Sequence, residues 1–391
     1  MYEFPKINNI GDILEAIEGK DEFIVCDKGD YTVVNYVYKT DTTFPIVATR
    51  TDALLRECRG IMFGRDGNVI RRPYHKFFNV NERPETVENS IDFSQKHVIL
   101  EKLDGSMVTP FSTGTGIRWA TKMGETDISA QAEAYLKSIK KVAYMNLALE
   151  CIEEGLTPIF EWCSRQNRVV IDHPDDKLVL TAIRNNWSGE YVPLHTMKKY
   201  ADHYGVPMVC SFETSVTDVQ KFIAETRSLQ DIEGYVVRFE DGHMLKVKAD
   251  WYVLVHMTKD MINTERKVVD CIVNERLDDV VATLALEVDR ARVKKYSEEF
   301  VGSLIADAMQ ASDILAFFKR KYATKKEFAL AEGHSNRMVS SMVFHFWDNV
   351  PTKLSIHVQY IKDIIKKNCG NNKNFTKVKS HFFNNVEYTN A

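Results

Sequence analysis

Lys102-Leu103-Asp104-Gly105-Ser106 follows the apolar run His97-Val98-Ile99-Leu100, so a strand fixes the lysine's Cα and Gly105 permits the tight bend after it. That placement suits a nucleophilic amine. A free lysine has a pKa near 10.4 and carries the neutral amine in roughly one molecule in a few thousand at pH 7. Lowering that pKa by about three units costs about 4 kcal/mol, which nearby cations can supply. Leu245-Lys246-Val247-Lys248-Ala249 offers such cations, because lysines two apart leave the same face of a strand. Two ammonium groups on one face repel unless an anion lies between them, and a nucleotide phosphate is the natural candidate. The plainer alternative is an edge strand guarded by lysines.

Two glutamates sit in apolar, aromatic strand-like runs: Glu161 in Ile159-Phe160-Glu161-Trp162, and Glu233 in Ile232-Glu233-Gly234-Tyr235-Val236-Val237. A carboxylate there needs a partner, since burying it alone is expensive. Ribose hydroxyls, a metal ion or a neighbouring lysine would each serve, and a structural salt bridge explains either one taken singly. Upstream, Arg59 in Glu57-Cys58-Arg59-Gly60-Ile61-Met62-Phe63 precedes a strand, and Lys76 opens Lys76-Phe77-Phe78-Asn79. The arginine fork and the lysine point charge both suit phosphate oxygens. Each alone reads as a surface cation.

Three hairpins must hold these groups. The first joins Phe23–Cys26 to Thr32–Tyr38, the second Gly60–Phe63 to Val69–Arg72, and the third Tyr235–Glu240 to His243–Ala249 through Asp241-Gly242. Asp127–Glu154 reads as one helix, with apolar residues recurring at three and four and Gly155 at its exit. Beyond residue 258 the pattern is helical. Val280, Leu284, Val288 and Val293, then Phe300, Leu304 and Ala308, form an apolar stripe. The expected division is a mainly β domain over 1–257 and an all-helical domain over 258–391.

With 391 residues, 44% hydrophobic and 27% charged, the composition is that of a globular protein large enough for two cores. No continuous apolar run reaches the roughly 20 residues that span a bilayer, and the N-terminus lacks a secretory pattern. Seven cysteines with no C-x-x-C spacing indicate neither a disulfide framework nor a zinc site, which fits a reducing cytoplasm. The net charge of −4 hides a basic end: from Lys319 onward there are thirteen Lys/Arg against five Asp/Glu. A polyanion partner and a solvated helical surface explain this equally well.

The ordered set Lys102-x-Asp104-Gly105-Ser106, Phe160-Glu161-Trp162, Glu233-Gly234 and Lys246-x-Lys248 resembles the covalent nucleotidyltransferase superfamily of DNA ligases, RNA ligases and mRNA capping enzymes. More narrowly, the segments at 57–63 and 76–79 and the Asp250-Trp251-Tyr252 triplet resemble the phage RNA ligase 1 family of ATP-dependent tRNA-repair ligases. The resemblance spans nearly the whole chain and weakens after about residue 260. It implies an α+β fold: a nucleotidyltransferase domain of antiparallel sheets with flanking helices, ATP-grasp-like, followed by an all-helical C-terminal domain that docks RNA.

It also implies roles. Lys102 attacks the α-phosphorus of ATP to form lysyl-AMP, AMP passes to an RNA 5′-phosphate, and an RNA 3′-hydroxyl then displaces AMP. Lys246 and Lys248 hold the α-phosphate, Glu161 binds ribose, and Glu233 orients a metal or the lysine. Arg59 and Lys76 contact phosphates. Asp104, Gly105, Tyr36 and Lys122 join the nucleotide contacts, and Phe160 or Trp162 lies against adenine. Mg²⁺ or Mn²⁺ accompanies ATP, with Asp278 and Asp279 as further metal candidates. The implied partner is single-stranded RNA ends or cleaved tRNA, met by a monomer in the cytoplasm, that of the host cell if the source is viral, with no membrane. Departures are Trp162, where the family has phenylalanine, and the Thr121–Gly124 segment, which matches only in Lys122. Capping enzymes carry arginine after K-x-D-G-x, where this chain has Met107, and they continue into a β-barrel rather than helices. A protein that binds RNA ends without catalysis, or a GTP-dependent capping-type enzyme, are the alternative readings.

Overall fold

The hairpins and the isolated apolar runs assemble into three sheets. In the computed structural model, residues 2–389 are described except 38, 39, 41, 140, 141, 213–215, 278, 279, 282, 283, 285, 286, 333–336, 352 and 353. Asp278 and Asp279 therefore lie outside the described residues. The chain divides into two units, Met1–Val253 and Leu254–Ala391. The division falls four residues before the one expected from the change of pattern.

In the first unit, Phe23–Asp27, Tyr31–Tyr36, Arg59–Gly64 and Val69–Arg71 form an antiparallel sheet in chain order. A second antiparallel sheet runs Lys177–Asn185, Leu156–Cys163, Ser106–Ser112, Ile117–Ala120. The third runs Ser211–Phe212, His97–Glu101, Gly234–Phe239, Met244–Lys248, Phe78–Asn79, with only its last pair parallel. The strands that carry Lys102, Glu233 and the two hairpin lysines are thus neighbours in one sheet.

Asp127–Glu154 is two helices rather than one, Asp127–Ser138 and Val142–Glu153. Each turns its own apolar residues, Ala132 and Leu136 or Tyr144, Leu147 and Cys151, onto the core beside Phe160 and Trp162. Two short helices can do this at separate angles where one straight helix cannot.

Glu57 holds the first two sheets together. Its carboxylate accepts from Arg184 Nη1 and Nη2, each at 2.8 Å, and from Arg72 Nε at 3.1 Å, and none of the three side chains is exposed. Burial pushes the carboxyl up, but Arg184 and Arg72 outweigh it and hold Glu57 below its ordinary range. Glu57→Ala would leave two guanidinium groups buried without a counter-charge. The expected cost is about 3–5 kcal/mol, read as a fall in the denaturant midpoint.

The second unit has helices and no strand among its described residues. Its spine is Glu287–Lys321, whose buried positions Val293, Tyr296, Phe300, Leu304 and Ala308 pack with Ile361, Ile365 and Phe383. Val288, expected on that stripe, is 62% exposed, because the helical phase from Val293 back reaches Asp289 instead. An 18-residue window of this helix is apolar enough to cross a membrane, but the helix supplies the core of its own unit. Exposed Lys366, Lys367, Lys373 and Lys377 lie on its last two helices, Leu354–Asn368 and Asn372–Lys379. Lys321, Lys325, Lys362 and Lys379 are engaged by acidic partners.

Candidate active site

Strand pairing alone brings the main groups together. Lys102 continues the His97–Glu101 strand, its N–H donating to Gly234 O at 2.9 Å, and Gly234 pairs with Lys248. Glu233, one residue earlier, places Oε1 at 2.8 Å from both Lys102 Nζ and Lys248 Nζ. Gly234 has φ +133°, and a Cβ there would meet the Val247 carbonyl, so only glycine lets the two strands close next to Glu233.

The Lys102 amine is ion-paired to a carboxylate that it shares with Lys248 of the third hairpin. The amine driven well below the ordinary lysine range is Lys246. Burial is the main cause, followed by Lys76, Lys102 and Arg59, against a weaker pull from Glu82. Lys246 Nζ also sits 4.8 Å from the centre of the half-buried Phe77 ring. Such a concentration of cations is what a phosphate would relieve.

Glu161 comes from the second sheet, opposite Met107, and Arg59 Nη1 reaches Met107 Sδ at 3.6 Å. Burial, with help from Glu233 and Asp104, overcomes Lys102 and Arg59 and pushes Glu161 up to about 8. Between its ordinary 4.5 and about 8, the folded protein retains a proton there that the unfolded chain has lost, so stability falls as pH rises through that window. Glu161→Gln removes this contribution. Its melting temperature should gain on wild type from about pH 5 to about 8 and then run parallel. A gap independent of pH would contradict the placement of this carboxyl.

Beside these groups, the Tyr36 ring has Lys76 Nζ at 5.9 Å and Lys122 Nζ at 5.2 Å. Gly60, at φ +89°, admits this arrangement: a Cβ there would lie 2.6 Å from Lys122 O. Arg59, Tyr36, Lys76 and Lys122 therefore form one cationic wall with an aromatic face.

Other expected contacts are placed differently. Phe160 is fully buried, edge-on to Trp119 and beside Tyr144, so its ring is unavailable to adenine. The cause is strand alternation: with Glu161 turned to the site, Phe160 and Trp162 both turn to the core. Asp104 is 2% exposed, and its carboxylate accepts from Val170 N, Ile171 N and Tyr252 OH at 2.8, 2.5 and 2.7 Å. It braces the turn rather than facing a nucleotide. Gly105 has no positive φ; it is needed for space, because a Cβ would meet the Trp162 carbonyl oxygen. A cavity of about 1090 Å³ elsewhere in this unit, lined by His97, Tyr191, Arg238 and Phe239 among others, contains none of these site groups. The sequence reading missed His173, Asn167 and the ring of Phe77. Phe77 was legible from its place between Lys76 and Phe78, whereas His173 and Asn167 lie in a loop with no motif.

Residues 57–252, half of the chain, match the family model described as RNA ligase. A Thermovibrio ammonificans protein named "Putative RNA ligase" is 28% identical over 320 residues, covering 79% of this chain and 81% of that one. RNA ligase 1 of bacteriophage TS2126 is 26% identical over 294 residues, covering 72% and 70%. An archaeal ATP-dependent RNA ligase structure aligns over 72% of this chain and 77% of its own, at 14% identity and TM-score 0.46, and that likeness adds nothing to the assignment. With the matched segment enclosing Arg59, Lys102, Glu161, Glu233, Lys246 and Lys248, the chain belongs to the RNA ligase family.

Proposed function

We propose that this protein is an ATP-dependent ligase that joins RNA 5′-phosphate and 3′-hydroxyl ends, with Lys102 as the residue that carries AMP. The observation that carries the reading is the Glu233 carboxylate held 2.8 Å from both Lys102 and Lys248, inside a wall of cations. Lys102 Nζ, as the neutral amine after giving one proton to solvent, forms a bond to the α-phosphorus as the bond to the pyrophosphate oxygen breaks; pyrophosphate leaves and the second amine proton passes to solvent. Glu233 orients the amine for that displacement. Lys246 and Lys248 meet the charge that grows on the phosphoryl oxygens, which is the larger part of catalysis in such transfers. Arg59 and Lys76 are placed for the remaining phosphates, Glu161 for ribose hydroxyls, and Tyr36 for the flat face of the base.

The site suits a divalent cation carried in with the triphosphate. Among the described residues no three His, Cys, Asp or Glu side chains converge on one point. Glu233 nevertheless raises the cost of charging the buried Glu161 carboxyl, a burden that a cation beside it would relieve. Magnesium is commonly held by one or two carboxylates together with substrate phosphates. When bound, Mg²⁺ or Mn²⁺ would neutralise the triphosphate. Exposed Lys366, Lys367, Lys373 and Lys377 support RNA backbone contact by the helical unit, with tRNA repair as the setting the resemblance suggests.

The test is incubation with α-labelled ATP or GTP and Mg²⁺, then with 5′-phosphorylated single-stranded RNA. Label retained from ATP through denaturation, followed by a sealed RNA, is the expected result. Label from GTP alone would make this a capping-type enzyme, and RNA binding without label would make it a binding protein.

A further inference from the structure

The 164–176 connection, between strands Leu156–Cys163 and Lys177–Asn185, grips the turn that carries Lys102. Val170 N and Ile171 N donate to Asp104 Oδ2, Asn167 Nδ2 donates to Ser106 Oγ at 2.8 Å, and His173 Nε2 lies 2.6 Å from the Asp104 carbonyl oxygen. A carbonyl only accepts, so Nε2 carries the hydrogen. His173 is 7% exposed, and a buried donor of this kind is costly to leave without its acceptor. On the other side of the turn, Lys102 N is fixed to Gly234 O.

We infer that His173 is a positioning residue for the nucleophile, fixing through the Asp104 carbonyl the turn from which the Lys102 amine projects. The inference rests on Lys102 being the AMP carrier. The two bonds to the Asp104 carboxylate from Val170 and Ile171 come from backbone N–H groups, whereas the bond from His173 comes from a side chain that substitution can remove. A misplacement of about 1 Å can cost roughly a hundredfold in a reaction that depends on aligned atoms. Forming lysyl-AMP requires the Lys102 nitrogen in line with the α-phosphorus. Sealing an RNA that is already adenylylated requires no bond to that nitrogen. A positioning role and a merely structural one therefore separate between the two steps.

The experiment uses the full chain with His173→Met and His173→Gln. Methionine fills similar space without a donor, while the glutamine amide places a donor as far from Cα as Nε2. The rate of lysyl-AMP formation at saturating ATP, the KM for ATP, sealing of pre-adenylylated RNA and the melting temperature are measured for each. His173→Met should slow lysyl-AMP formation roughly tenfold to a hundredfold with little change in KM, leave sealing of pre-adenylylated RNA near wild type, and be rescued by His173→Gln. An unchanged first step, or equal losses in both steps with a matching fall in melting temperature, would overturn the inference. Should His173→Met fail to fold, His173→Asn replaces it: its amide falls short of the carbonyl, and a rate equal to that of His173→Gln would likewise overturn it. A wild-type protein that forms no lysyl-AMP overturns the functional reading instead.

Discussion

Lys102→Ala is expected to lose labelling by ATP altogether, a drop of ~10⁴-fold or more in lysyl-AMP formation, while still sealing pre-adenylylated RNA. The loss should be that large because nothing nearby can take over the role. Lys248, the other partner of Glu233, is held in the last pair of its hairpin, opposite Gly234, and Lys246 is walled in by Phe77 and the cations Lys76 and Arg59. The fold should survive. Removing Lys102 leaves Glu233 its 2.8 Å partner Lys248, and Lys102 is itself 22% exposed, so the carboxylate is not stranded. A variant that labels as wild type does would remove Lys102 from the chemistry. A variant that loses labelling and pre-adenylylated sealing together, with an intact melting transition, would mean the lysine serves all steps.

Lys246→Met should be nearly as damaging to lysyl-AMP formation and yet raise the melting temperature of the protein without nucleotide. A preorganised cation facing developing phosphoryl charge is worth about 10²–10³-fold in rate. In the free protein that same cation is a burden, since burial, Lys76, Lys102 and Arg59 all disfavour it. Its folded pKa lies below the ordinary 10.5, so over that interval the folded state holds fewer protons than the unfolded chain and wild-type stability rises with pH. The variant removes that rise, and its stability advantage should shrink as pH increases toward 10.5. The wild-type first step should also fall off on the alkaline side at lower pH than an ordinary lysine would give. Equal melting temperatures for the two proteins at neutral pH would show that Lys246 is not crowded by cations.

Much of this site was legible in the sequence because it is built from strands. A lysine after an apolar run, a glutamate before Gly-Tyr-Val-Val, and two lysines at a spacing of two become neighbours as soon as His97–Glu101, Gly234–Phe239 and Met244–Lys248 pair. The same period of two should have excluded Phe160 from the nucleotide once Glu161 was assigned to it. What stayed hidden is tertiary. Asp104 finds its partners 66 and 67 residues away on backbone N–H groups, which have no sequence signature. His173 sits in an irregular loop. Glu57, inside the recognised Glu57–Phe63 segment, serves a buried ion cluster with Arg72 and Arg184 that no local pattern announces. The break between Asp127–Ser138 and Val142–Glu153 carries neither glycine nor proline at Ser138 or Ile139, so periodicity alone ran the two helices together.

The most direct measurement is peptide mass spectrometry on the full chain after reaction with ATP and Mg²⁺. The predicted result is a single AMP on the peptide containing Lys102, absent from Lys102→Ala and discharged when 5′-phosphorylated RNA is added. AMP on the Lys246–Lys248 peptide, or no AMP on a protein that nonetheless joins RNA ends, would contradict it.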